Sequence, residues 1–158
     1  MNIFKKLLKK IAYFCAIGFG SGLSPFMPGT AGSLVGLALA IGLQLITQNI
    51  GLMLFSALIM SLFGVYICNI ASKKMGGLDH PSIVWDEIAG MFIAIIGLPF
   101  ELLWYALAFL LFRLLDIIKP FPISWLDKNI KGGWGIMLDD LLAGTLTSLG
   151  LNLFFWLQ

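Results

Sequence analysis

The chain has 158 residues, 59% of them hydrophobic and only 11% charged, and ten Lys and Arg against eight Asp and Glu leave a net charge of +2. Mean hydropathy is +0.98; a soluble domain carries about 25% charged residues and is excluded, as are a disordered chain, a coiled coil and a disulfide-stapled secreted module. What remains is one integral membrane domain over residues 1–158, without the clustered basic face that nucleic acid binding requires.

Four lysines, Lys5, Lys6, Lys9 and Lys10, precede an apolar stretch at 11–27 that is interrupted by Gly18, Gly20, Gly22 and Pro25 and followed by Pro28. The glycines come too early for a signal peptide, and no small-x-small cleavage site follows cleanly. The stretch is expected to re-enter the membrane or lie at its interface, where irregular backbone finds partners in protein or water. Cys15 and Cys68 sit in apolar surroundings at no metal-ligand or redox spacing and read as small buried hydrophobes.

Five apolar runs follow, at 34–46, 52–71, 83–98, 102–118 and 136–157. A bilayer core of about 30 Å takes roughly 20 helical residues, with about 17 as the practical minimum. The second, fourth and fifth runs reach that length, and the first and third reach it only with flanking residues. The expected fold is all-α: a polytopic membrane bundle of about five transmembrane helices plus the broken N-terminal segment. With the N-terminus in the cytoplasm, all nine lysines fall on the cytoplasmic side, as the positive-inside rule requires.

The same topology gathers the acids. Asp86 and Glu87 open the third run, Asp116 closes the fourth, and Asp139 and Asp140 open the fifth, all at the cytoplasmic face. Ionisable groups in spanning helices cost roughly 2.5–3.5 kcal/mol each on insertion scales, so their concentration at one depth marks a functional site. Helix-dipole stabilisation accounts singly for acids in a first turn, but not for Asp116 near a C-terminus. Arg113 shares a helix face with Asp116, either as an ion pair or as a guanidinium clamp for phosphate. Lys119 is held at headgroup level by the prolines that follow it.

The glycine-rich run at 18–33 ends with Thr30 and Ser33 at a helix start, where free N–H groups favour anions; no Gly-Lys-Ser/Thr of a Walker loop follows. His80 is the single histidine, a loop residue that reads as solvated or as a general acid. Hard carboxylate oxygens suit Mg²⁺, which commonly bridges protein carboxylates and a substrate phosphate. Read from its residues, the chain performs metal-assisted chemistry on a phosphate-bearing lipid. The rival reading is a small cation transporter or channel built on the same carboxylates, but acids confined to one face leave no path across the bilayer.

Four blocks in order, GFGSGLSPFMPGTAGSL at 18–34, DHPSIVWDEIAGM at 79–91, FRLLDIIKPFPI at 112–123 and GGWGIMLDDLLAG at 132–144, resemble the bacterial phosphatidylglycerophosphatase A family. The resemblance implies Mg²⁺-dependent hydrolysis of phosphatidylglycerol phosphate to phosphatidylglycerol and inorganic phosphate, at the cytoplasmic face of the bacterial inner membrane. It implies Asp86, Glu87, Asp116, Asp139 and Asp140 around the metal and the attacking group, and Arg113, Lys119, His80, Thr30 and Ser33 around the substrate phosphate. Direct attack by water and an aspartyl-phosphate route both stay open at this stage, and neither oligomeric state nor acyl-chain preference follows from the sequence.

Overall fold

The computed structural model of the protein describes residues 3–76 and 80–157; Asp79, in the second of the four blocks, lies outside them. The described residues form helices and turns and no strand. The seven α-helices are α1 (Ile3–Ala16), α2 (Pro28–Ile46), α3 (Ile50–Lys74), α4 (Trp85–Ala94), α5 (Leu102–Ile118), α6 (Ile123–Asn129) and α7 (Gly132–Trp156). Two of them, α2 with 19 residues and α3 with 25, are long and apolar enough to cross a membrane.

The broken N-terminal segment has a defined path. After α1 the chain makes a 3-10 turn, Gly18–Leu23, in which Phe19 and Gly20 have positive φ. The Ala16 carbonyl accepts a hydrogen bond from the Val84 amide at 2.9 Å, which docks this turn on the residue that precedes α4. Pro28 then opens α2, at the helix position where a missing N–H costs nothing.

The third apolar run departs from expectation. Only Trp85–Ala94 is helical, about 15 Å at 1.5 Å per residue, half of a bilayer core. The sequence Ile-Ile-Gly-Leu-Pro at 95–99 ends the helix inside the bundle, with Gly97 at a φ of +84°. Backbone carbonyls exposed by such a break need partners wherever water is absent, and distant polar side chains supply them. Ser148 Oγ and Asn152 Nδ2 donate to the Ile96 carbonyl at 2.8 and 2.9 Å. Gln44 Nε2 donates to the Leu98 carbonyl at 3.0 Å, and Tyr105 donates to Gln44 Oε1 at 2.8 Å. The short helix is enclosed by α2, α3, α5 and α7, and eight of its residues are buried.

The fifth run also differs from its expected boundary. α7 starts at Gly132, four residues before the apolar run, so Asp139 and Asp140 lie two turns inside the helix. They are about 10 Å from its N-terminus, beyond the reach of the terminal dipole. First-turn stabilisation, an adequate account of Asp86 and Glu87, therefore fails for this second pair.

Glycines set the depth at which the acids meet. A Cβ at Gly144 would collide with the Gly90 carbonyl oxygen, and one at Gly90 would come within 2.6 Å of the Asp140 carbonyl oxygen. Small residues let helix backbones approach this closely where lipid replaces water. Gly90 lies four residues after Asp86 and Gly144 four after Asp140, so each glycine is one turn from an acid on the same face. The α4–α7 crossing thus brings the two acid pairs together. On the other side of α4, Gly32 and Gly36 of α2 pack against Val84 and the Ile88 backbone.

Candidate active site

A cavity of about 180 Å³ opens above the α4–α7 crossing, lined by His80, Pro81, Ile83, Asp86, Glu87, Asp116, Lys119, Asp139 and Asp140. All five carboxylates singled out in the sequence therefore share one space, contributed by α4, α5 and α7. Asp86, Asp139 and Asp140 are 7%, 5% and 3% exposed, so their charges are balanced by the protein or by a bound cation, not by bulk water.

The balance within the protein is incomplete. Carboxylate oxygens of Asp86, Glu87 and Asp140 lie within 4.8 Å of one another, and Asp116 lines the same cavity as Asp140. One oxygen on each of Asp86, Glu87, Asp139 and Asp140 is buried with no hydrogen-bond partner. An ionised carboxylate only accepts hydrogen bonds, so carboxylates that are all ionised cannot satisfy one another. Three acidic oxygens converging from two helices form a hard donor set that fits Mg²⁺, and the orphaned oxygens fit that reading.

Two cations flank the cluster. Arg113 Nη1 donates to Asp116 Oδ2 and lies 3.4 Å from Ser33 Oγ. Ser33 is fully buried, and its hydroxyl donates to the Gly29 carbonyl at 2.9 Å. The intrahelical pair expected between Arg113 and Asp116 forms, and the guanidinium also reaches across to α2. Gly29 admits it: a Cβ there would sit 3.3 Å from both terminal guanidinium nitrogens and would collide with Glu87 Oε1. Arg113 Nε and the hydroxyl of the neighbouring Thr30 are buried without partners.

Lys119 stands on the opposite side. It caps α5 in the left-handed conformation, φ 45° and ψ 58°, an uncommon position for a non-glycine residue and one that costs energy. Its ammonium donates to Asp127 Oδ1 of α6 at 2.7 Å and to Asp139 Oδ2 of α7 at 2.5 Å. Burial favours the neutral amine, but these two carboxylates outweigh it and hold the Lys119 pKa above its ordinary value. The ammonium has three protons, and one remains after both ion pairs. His80 Nδ1 accepts the Ser82 amide at 3.2 Å, so the proton of a neutral ring lies on Nε2.

The structure thus groups His80, Lys119 and the five acids around the cavity. Arg113 and Ser33 stand behind Asp116 and Glu87, and Thr30 lies beside Gly29. Sequence reasoning overlooked Asp127 as a partner of Lys119, and Gly29, Gly90 and Gly144 as the positions that let the acids converge. A signal for the last two was present: Asp-x-Ile-Ala-Gly at 86–90 and Asp-x-Leu-Ala-Gly at 140–144 are nearly the same pentapeptide.

Comparison with known proteins bears on the chemistry. The sequence model of the family described as phosphatidylglycerophosphatase A matches residues 14–155. The chain is 45% identical over 139 residues to a phosphatidylglycerophosphatase A of Escherichia coli K12, covering 86% of this chain and 78% of the relative. It is 44% identical over 142 residues to a Haemophilus influenzae protein of the same name, covering 86% of each. A putative phosphatidylinositol-3-phosphatase of Bacteroides thetaiotaomicron is 39% identical over 133 residues, covering 80% of this chain and 82% of that one. No solved structure matches the chain.

Proposed function

The chain belongs to the phosphatidylglycerophosphatase A family, and from that premise we propose that it hydrolyses phosphatidylglycerol phosphate with Asp86, Glu87 and Asp140 holding Mg²⁺ at the α4–α7 crossing. The observation that carries this reading is the set of buried, unpartnered carboxylate oxygens around the cavity. When bound, the metal supplies Lewis acidity, neutralising phosphate oxygens and easing the ionisation of water.

The chain's own residues divide the remaining work. Arg113, bonded to Asp116 and Ser33 behind the acids, holds Asp116 at the cavity, and the remaining Lys119 proton faces the phosphate as a donor. Asp139 is held through Oδ2 by Lys119, which leaves Oδ1 to take a proton from the attacking water. The new bond joins that water oxygen to phosphorus as the bond to the glycerol oxygen breaks, and His80 Nε2 donates a proton to the departing oxygen. The chain lacks the Asp-x-Asp-x-Thr/Val pattern of soluble aspartyl-phosphate phosphatases, which favours direct attack over a covalent intermediate. Turnover of substrate carrying a ³²P-labelled phosphate tests this route: acid-quenched protein should carry no label, whereas label recovered on an aspartate would exclude direct attack.

The membrane arrangement belongs to the same proposal. Five crossings, by α2, α3, α4 with the turn after it, α5 and α7, put the N-terminus and the cavity on the cytoplasmic side of the inner membrane. Nine lysines at that end and none in the connections at 47–49 and 95–101 support this orientation. A single cysteine at Gln48, in a background lacking Cys15 and Cys68, should react with an impermeant maleimide from outside the cell, and one at Lys131 should not. Mn²⁺ serves as a spectroscopic probe of the metal site. Its electron paramagnetic resonance signal should report a bound ion in the purified protein and lose it in Asp86→Asn and Asp140→Asn; an unchanged signal would refute the assignment.

A further inference from the structure

A second cavity, of about 330 Å³, lies between α1 and α3 and is lined by Lys9, Ile70, Lys73 and Lys74. α1 packs against the last turns of α3 through Ala12 and Ala16, which share a core with Ile67, Cys68 and Ala71. Lys74 is fixed over the Tyr13 ring, its ammonium 3.7 Å from the centroid, an attraction that ties the two helices together. Among the described residues, no carboxylate pairs with any of these three lysines. The positive-inside rule accounts for lysines at this end of the bundle, but not for three lysines without a carboxylate partner lining one cavity.

The surroundings narrow the ligand. Ile3, Leu7, Leu8, Ile11 and Phe14 of α1 are exposed large hydrophobics, as are Phe63 and Tyr66 of α3. The cavity therefore combines unpaired positive charge with neighbouring apolar surface, which complements an amphiphile with an anionic head. The carboxylate cavity is a separate space that shares no residue with it. We propose that the α1–α3 cavity binds an anionic phospholipid, its headgroup phosphate held by Lys9, Lys73 and Lys74 and its acyl chains lying along the exposed faces of α1 and α3. Basic pockets at the cytoplasmic ends of membrane helices hold anionic headgroups in this way. The proposal rests on the membrane arrangement proposed above, not on the phosphatase chemistry.

Lys9→Gln with Lys73→Gln tests it, because Lys74 and its contact with Tyr13 remain in place. Lipid binding to the full chain in detergent is measured by native mass spectrometry, using phosphatidylglycerol and phosphatidylcholine of identical acyl chains, with inorganic phosphate as competitor. A lysine near an anionic lipid contributes roughly fivefold in affinity, so the double variant should bind phosphatidylglycerol about 30-fold more weakly. Phosphatidylcholine binding should be weak and equal in both proteins, and Lys9→Arg with Lys73→Arg should retain tight binding. Equal phosphatidylglycerol binding by wild type and variant would overturn the proposal. So would equal affinity of the wild type for the two lipids, and so would displacement by inorganic phosphate alone, which would make the cavity a site for free anions. Hydrolysis of a short-chain substrate in the same detergent should be unchanged in the double variant, so failure of the lipid site and failure of the phosphatase assignment give different results.

Discussion

Replacing Gly144 by alanine adds one methyl group at the α4–α7 crossing and leaves every chemical group of the site intact. The added Cβ would collide with the Gly90 carbonyl oxygen and stand 2.9 Å from the Gly90 carbonyl carbon. Ordinary carbon contacts lie at about 3.5–4.0 Å, so the helices must separate by on the order of 1 Å. Overpacking of this kind costs about 1–3 kcal/mol, which a folded bundle tolerates. Catalysis tolerates it far less, because a misplacement of about 1 Å costs on the order of 100-fold. Gly144→Ala should therefore remain folded and lose about 100-fold in kcat, since Asp86 and Glu87 on one helix no longer meet Asp140 on the other. Gly150→Ala is the control, for it lies on the same helix and a Cβ there meets nothing within 4 Å. Phosphate release by the two variants, beside their unfolding midpoints in detergent, checks the reasoning. Full activity in Gly144→Ala, or an equal loss in Gly150→Ala, would refute it.

Other consequences follow from particular contacts. Asn152→Leu removes a donor from the Ile96 carbonyl at the buried end of α4 and should destabilise the protein by about 1–3 kcal/mol, read as a lower unfolding midpoint; an unchanged midpoint would mean that the break needs no such partner. Tyr105→Phe deletes one buried hydrogen bond to Gln44 and should cost about 1 kcal/mol with little change in kcat, since it lies at the opposite end of α5 from the acids. Arg113→Lys keeps the charge but loses the planar fork that joins Asp116 to Ser33; kcat/KM should fall by at least about tenfold, and wild-type values would show that a point charge suffices.

The acids were legible in the sequence because ionisable groups are costly within apolar runs, and their placement at one end followed from the lysines. The resemblance carried by the four blocks pointed to the same phosphatase chemistry that the relatives' names support. The end of α4 was not legible. Ile95 and Ile96 continue the apolar run, and the break is tolerated only because Gln44, Ser148 and Asn152 arrive from two other helices. The start of α7 was hidden for the opposite reason. Gly132, Gly133 and Gly135 precede the apolar run and add nothing to its hydrophobicity, yet they form the first turn of α7, where Gly133 approaches the Val65 carbonyl of α3 so closely that a Cβ would collide with it. Locally, Ser33 reads as a helix-start hydroxyl available to an anion; its bond to the Gly29 carbonyl lies within α2, and only the tertiary structure reveals Arg113 as its second partner.

In the proposed function, the buried carboxylates at the α4–α7 crossing hold a divalent cation for hydrolysis of a lipid phosphomonoester. Phosphate release from phosphatidylglycerol phosphate by the purified protein, with Mg²⁺ and with chelator, tests it most directly, with Asp140→Asn measured beside the wild type. Chelator should abolish release, added Mg²⁺ should restore it, and Asp140→Asn should lack it while its unfolding midpoint shows a folded protein. Release that persists in chelator, or that survives in Asp140→Asn, would contradict the proposed function.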